Sequence, residues 1–288
     1  MAVTLASTPA PASGSTAAAG QDEPLVKSWR DGPIGRISLN RPGKHNAKNL
    51  AMIEALHEAV MAAEADADVR VIVISGEGPS FSSGHDVTEI DHNPAIGAMY
   101  DTPEARLATE RRMYLDKSLA IRNAAKPTIA QVHGHCIAAG MMTAVMCDLI
   151  VASDDARFGM PVLARYAAVG EILFEVWEIG ARRAKEFLFT GEIISAERAM
   201  ELGFVNRVVP RAELEEEVRA LALKIANQPP VSLQLTKASI NRTLDMMGQR
   251  NAFEYHFMAH VFSHFTQEAE DERKRRKQSQ TKKPKKLA

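Results

Sequence analysis

A run of small residues, Gly134-His-Cys-Ile-Ala-Ala-Gly140, leads into the apolar stretch Met141–Cys147. Side chains this small leave backbone N–H groups bare, so the segment suits close approach of a ligand to the main chain. A second such loop, Phe81-Ser-Ser-Gly-His-Asp86, sets a histidine directly after a glycine. Imidazole titrates near neutrality, which suits His85 to proton transfer. His133 and His135 flank Gly134 and, on a strand, would share one face. A metal site there would need a third ligand and none is evident, so the pair reads as structural and no metal is expected. Cys136 and Cys147 stand in apolar surroundings and read as free thiols of a reducing compartment.

These groups must be held by a folded frame, and the hydrophobic pattern supplies one. Residues 25–40 read as two strands around an Asp31-Gly32-Pro33 turn. Ile53, Leu56 and Val60 recur at helical spacing, with Asn46 or Asn49 as the cap. RVIVISG from Arg70 is a short buried strand, residues 104–124 an amphipathic helix, and KPTIAQVHG and CDLIVASD are two more strands. ARRAKEFLFTG and SAERAMELG are helices that stop at glycine. Two long helices punctuated by prolines follow, then an aromatic helix over 253–267. Alternating strands and helices followed by helices alone predict an α/β core with a helical C-terminal region.

The 288 residues carry a net charge of −1, but nine Lys/Arg lie in 273–286, which leaves −10 on residues 1–272. An acidic body argues against a nucleic-acid surface. No apolar run reaches membrane-spanning length. The Ala/Ser/Pro/Thr-rich residues 1–23 have no basic n-region and no Arg, and are expected to be a disordered leader rather than a targeting peptide, with the protein cytoplasmic. The expected division is this leader, a core over 24–210, a helical region over 211–267 and a solvated, disordered basic tail over 268–288.

Five segments in order, NRPGKHNA (40–47), VRVIVISGEGPSFSSGHDV (69–87), KPTIAQVHGHCIAAG (126–140), CDLIVASDDARFGMP (147–161) and GARRAKEFLFTGEIISAERAMELGFVNRVVP (180–210), resemble the enoyl-CoA hydratase/isomerase family, the crotonase superfamily. The resemblance covers roughly residues 24–250. It implies an α/β crotonase (ClpP-like) spiral of ββα units whose C-terminal helices pack between subunits of a trimer or hexamer. It implies an acyl-CoA ligand, with coenzyme A entering as part of the substrate and no other cofactor. It also implies an oxyanion hole for the thioester carbonyl, formed by the backbone N–H of His85 after Gly84 and of Ala139 at a helix N-terminus. One such donor is typically worth about 3–4 kcal/mol of transition-state stabilisation. Lys44 would reach a phosphate or the adenine end, and Ser82 and Ser83 would hydrogen-bond adenine or pantetheine. Asp86 would belong to the same binding edge, and residues 88–104 would shape the acyl pocket.

The pattern breaks where the family keeps its proton carriers. The two hydratase glutamates fall at Met142 and Val162, neither of which moves a proton at neutral pH. The candidates to replace them are Glu171, next to Gly170, and the side chain of His85. Glu175 and Glu178 read as surface or interface charges. Met141, Met142 and Met146 with Val162, Leu163 and Tyr166 suggest an apolar pocket. Phe257, Val261 and Phe265, with Phe262 beside them, read as a stripe packing on a neighbouring subunit. The expectation is an acyl-CoA-binding enzyme of fatty-acid or related metabolism with reassigned acid/base groups. The alternatives are a catalytically silent acyl-CoA carrier and a weak hydratase relying on the oxyanion hole alone.

Overall fold

The frame is a six-stranded sheet buried on both faces, and its central strand shows why. In a computed structural model, which describes residues 23–89, 93–163 and 170–281, β3 (Val71–Gly76) sends Ile72 and Ile74 to one core and Val71 and Val73 to another. A strand covered on both sides needs no polar alternation, hence the continuous run VIVIS. The strand order is β1 (Val26–Asp31), β2 (Ile34–Leu39), β3, β4 (Thr128–Val132), β6 (Leu149–Ser153), β9 (Arg207–Val209). The β1–β2 hairpin is antiparallel and every later pair is parallel, registered at Ile34↔Val71, Ile72↔Thr128, Ile129↔Leu149 and Val151↔Arg207. A second sheet joins β5 (His135–Ile137), β7 (Arg157–Gly159) and β8 (Ile193–Ser195).

One face of the large sheet is covered by α1 (Leu50–Ala65), which inserts Met52, Leu56 and Val60. Of the two candidate caps, Asn49 accepts from Met52 N at 3.0 Å. Asn46 instead staples its loop, accepting from Arg41 N and donating to Glu77 O and Ser80 O. The expected helix over 104–124 is α2 (Pro103–Glu110) and α3 (Asp116–Asn123), joined by a π-helical turn at Arg111–Leu115. That wider turn brings Met113 and Tyr114 inward together. The small-residue run ends in α4 (Ala139–Val145).

The chain continues through α5 (Glu175–Ile179), α6 (Ala181–Thr190), α7 (Ala196–Leu202) and α8 (Leu214–Ala226). Leu214, Val218, Leu221 and Ala222 of α8 cover the second face of the sheet. Then come α9 (Pro230–Met246), α10 (Gln249–Ser263) and α11 (Gln267–Thr281).

Three expectations are corrected here. The basic segment is helical as far as Thr281, started by Glu268 and Glu270 in its first turn and pinned by Arg273 Nη1 donating to His264 O at 2.9 Å. His133 and His135 do not share a strand face, because Gly134 takes φ +53° and separates β4 from β5. Buried His133 donates from Nε2 to Gly78 O at 3.0 Å, while His135 is exposed. Of the stripe, Phe257 and Val261 pack with Phe253 on this chain's own core, while Phe262 and Phe265 are exposed. The leader residues 1–22 lie outside the described residues.

Candidate active site

Two segments meet at the site because their residues are small. Phe81 N and Ser82 N donate to His133 O and His135 O, and Ile137 N donates back to Ser82 O, zipping the 81–84 loop onto β5. A Cβ on Gly140 would fall 2.4 Å from Ser82 O, so no other residue fits there. Gly84 takes φ +105°, and a Cβ there would stand 3.2 Å from Ala138 Cβ and 3.5 Å from Ala139 N. Ala138 holds φ 50°, ψ −120° as the N-cap of α4. A non-glycine residue there carries strain of order 1–3 kcal/mol, the kind a fold retains where it must aim an amide.

Gly84 N donates to Ser82 Oγ, Asp86 N to Lys48 O and Ala138 N to Gly159 O. Between these committed neighbours, the amides of His85 and Ala139 make no hydrogen bond among the described residues. Ala139 opens α4, where the helix has no internal acceptor for its N–H and the dipole is positive.

Lys48 ties the two halves together. Its backbone brackets His85, donating to Gly84 O at 2.7 Å and accepting from Asp86 N at 2.8 Å. Its side chain, only 6% exposed, donates to Ala139 O at 2.8 Å and to Thr143 Oγ1. Burial pushes the ammonium down to about 8, against the pull of the Glu171 charge.

Glu171 and His85 come together. His85 Nδ1 lies 3.1 Å from Glu171 Oε1, and Glu171 is 8% exposed. Burial alone would push this carboxyl up; the charge and hydrogen bond of His85 and the charge of His260 outweigh it and hold Glu171 well below the usual carboxylate range. The His85 ring stacks on Tyr114 with centroids 4.1 Å apart, and Tyr114 Oη meets Tyr100 Oη at 2.7 Å. Burial raises both phenols, Tyr100 to about 12, so they remain hydrogen-bonding groups and not bases. His256 Nε2 donates to Gly170 O at 2.9 Å, fixing the residue before Glu171. A Cβ on Gly170 would lie 3.9 Å from Met142 Sδ, so the Glu171 segment runs past Met142.

The other expected site residues divide. Lys44 is exposed and free to reach an anion; Ser83 is exposed too, its hydroxyl donating to Lys44 O at 3.4 Å. Ser82 is a correction: it is 0% exposed and its hydroxyl is spent on Asn46 O at 2.8 Å, so it cannot reach adenine or pantetheine. Asp86 pairs with Arg41 Nη2 at 3.0 Å and accepts from Thr88, so its carboxylate braces the loop. Met141, Met142 and Met146 are buried in the main core, Val162 packs at its edge and Leu163 is exposed. Tyr166 lies outside the described residues. A groove of about 470 Å³ lies elsewhere, between α9, α10 and the β6 edge, lined by Asp148, Phe174, Lys237 and Phe253.

Glu175 is a further correction. Only Glu178 reaches the surface; Glu175 is 1% exposed with Oε2 lacking a hydrogen-bond partner. Burial raises its carboxyl to about 8 against the opposing amides of Glu175 and Phe174. The folded state therefore holds a proton that the unfolded state releases near 4.3. Stability from this group is full below that value and is lost as pH rises towards 8. Glu175→Gln is expected to raise stability by about 2–4 kcal/mol at pH 8 and to leave it nearly unchanged at pH 4. Denaturant melts at the two pH values check this, and an equal effect at both would contradict it.

Sequence reading missed Lys48, the Tyr100–Tyr114 pair and His256. A signal existed only for the last: His256, His260 and His264 recur every fourth residue along α10 and its C-cap.

A family model described as enoyl-CoA hydratase/isomerase matches residues 30–285. EchA13 of Mycobacterium tuberculosis, provisionally named an enoyl-CoA hydratase, is 39% identical over 248 residues, covering 81% of this chain and 78% of that protein. Enoyl-CoA hydratase domain-containing protein 3, mitochondrial, of Homo sapiens is 37% identical over 229 residues, covering 78% and 72%. A crystal structure of a probable enoyl-CoA hydratase from Mycobacterium smegmatis superposes with a TM-score of 0.77 at 40% identity, covering 83% of this chain and 94% of that one.

Proposed function

The chain belongs to the enoyl-CoA hydratase/isomerase family, and from that premise we propose that it binds an acyl-CoA and moves a proton at the acyl α-carbon without the family's glutamate pair. The thioester oxygen accepts from the amides of His85 and Ala139. Charge that develops on that oxygen as the α-proton leaves is met by two fixed donors and the start of α4. Glu171, kept ionised, accepts from His85 Nδ1–H and so leaves the lone pair on Nε2. Nε2 is then the base, and Glu171 orients it and stabilises the imidazolium, the division of labour of a carboxylate–histidine pair.

The observation that carries this reading is the 3.1 Å pairing of His85 with Glu171 beside the Gly84–Ala139 approach. Exposed Lys44 and Ser83 lie on the same loops and are proposed to meet the nucleotide end of the ligand. Val231, Leu235, Ile240, Tyr255 and Phe262 are exposed on α9 and α10, an apolar surface that suits a trimer or hexamer of this chain. No helix among the described residues is long and apolar enough to cross a membrane; we place the protein in the cytoplasm, though the human relative's name is mitochondrial.

A panel of saturated and unsaturated acyl-CoA thioesters in deuterated water tests the proposal. Deuterium should enter at Cα, while crotonyl-CoA hydration should run at least about 10²-fold below a two-glutamate hydratase assayed alongside, the usual worth of one acid/base group. Hydration at the family rate would overturn the assignment. Binding without exchange would instead favour a silent carrier, the reading that Met142 and Val162 on their own support.

A further inference from the structure

A second cluster of chemically competent side chains lies outside the His85–Glu171 pair and bears on the proposed reaction only through the charge of His260 on Glu171. Glu110, in the last turn of α2, is 2% exposed as a side chain and faces His260 of α10 and His264 just beyond its end. The two histidines are four residues apart and so stack on one helix face. His260 Nε2 and His264 Nε2 are 3.3 Å apart. His260 Nε2 lies 3.0 Å from Glu110 Oε2, and His264 Nε2 lies 3.7 Å from Glu110 Oε1. Oε2 is buried yet accepts no well-directed hydrogen bond, despite the short approach of His260. Oε1 accepts from Arg106 Nη1 at 2.6 Å.

Two ligands at about 2.1 Å from one ion, at a tetrahedral angle, stand about 3.4 Å apart. His260 Nε2 stands 3.0 Å from Glu110 Oε2 and 3.3 Å from His264 Nε2, on either side of that value, and one ligand atom from each of the three residues lies within 4.8 Å of the other two. We propose that Glu110, His260 and His264 bind one divalent transition-metal ion of the zinc type, fastening α10 to α2. Two imidazoles and one carboxylate suit zinc or cobalt and do not make the oxygen cage that calcium or magnesium needs. Arg106 donates to Oε1 while Oε2 approaches His260, which gives the carboxylate the outer hydrogen bond that ligating carboxylates characteristically have. Arg106 is itself seated over the Tyr100 ring at 4.9 Å, so the cluster is built from both sides. Three protein ligands leave a fourth position for water or another small donor.

The test uses the full chain with any purification tag removed and chelator washed out, titrated with zinc and, separately, with cobalt. One equivalent should survive desalting, cobalt should give the visible bands of a tetrahedral site, and zinc at about 100-fold over its Kd should raise Tm by roughly 5 °C or more. His264→Ala should weaken affinity by at least about 100-fold, since even outer-shell losses cost 10–100-fold. His264 is partly exposed, so the variant should fold; Glu110→Gln, nearly isosteric, gives an independent reading if it does not. His135→Ala removes an exposed histidine whose ring lies 5.5 Å from that of His45, the obvious place for surface uptake, and should change nothing. Uptake below one equivalent, uptake indifferent to His264 and Glu110, or uptake abolished by His135→Ala would each overturn the site.

Discussion

Glu171→Gln is expected to lower Cα–H exchange of a bound acyl-CoA by about 10²–10⁴-fold while leaving thioester affinity close to wild type. Glutamine keeps the shape of the carboxylate but can present an N–H to Nδ1. His85 would then carry its proton on Nε2, and the ring would offer a donor where a base is needed. His85→Ala should cost about as much, and the double variant should be no worse than either single one, because groups that act as a unit lose their function once. His85→Ala retains the backbone N–H, so a residue of catalysis from the two amides should survive it. A second readout follows from the depressed Glu171 carboxyl. Its folded value lies below the unfolded one near 4.3, so its stabilisation is present above that pH and is lost as pH falls through the folded value. The Gln variant should therefore show a flatter acid limb in a stability-versus-pH profile. Exchange at the wild-type rate in both single variants would remove the dyad from the mechanism.

The dyad illustrates which parts of this protein can be read from its residues. His85 and Glu171 were each recognisable, one as a titratable group in a small-residue loop, the other by its place after Gly170, near where the family resemblance implies an acidic residue. Their contact was not, because it depends on the turn after β3 and the segment before α5 closing on each other. The strands were legible because both-face burial leaves a signature, the unbroken VIVIS of β3, that turn-flanked periodicity isolates. α1 was legible for the converse reason, one buried face at helical spacing. Charged residues misled most. Glutamate and lysine are exposed by default, so Glu175 and Lys48 gave no sign of burial, and only neighbours distant in sequence decide it. Ser82 misled in the same way: its hydroxyl belongs to the fold because Asn46 O, thirty-six residues away, comes within 2.8 Å. The basic tail is helical to Thr281 because α11 has acidic residues to start it and His264 O to hold Arg273, contacts that a charge count does not contain.

Lys48→Met is expected to separate stability from activity. The ammonium is held at about 8 by burial, well below its ordinary value, which costs the folded state about 3 kcal/mol at neutral pH. Methionine matches the length of the stem, removes that cost and gives up two hydrogen bonds, each worth about 1–3 kcal/mol. The net change at pH 7 should fall within about 2 kcal/mol of zero, as is common when a buried charge gives way to an apolar side chain. In the wild type the unfolded state keeps its proton above pH 8 and the folded state does not, so stability should rise between pH 8 and 10.5. That rise should vanish in the variant. Activity should behave differently. Ala139 O would lose a side-chain donor that fixes the first turn of α4, and of its side-chain donors only Thr143 Oγ1, at 3.0 Å, would remain. An amide displaced by a fraction of an ångström still binds a ground-state carbonyl but no longer meets the oxyanion, so exchange should fall about 10–100-fold with KM little changed. The backbone of residue 48 would still bracket His85, so the loss should stay smaller than that of Glu171→Gln. Full exchange activity in a stable Lys48→Met protein would mean that the α4 amide needs no such brace, and that the buried ammonium serves the fold alone.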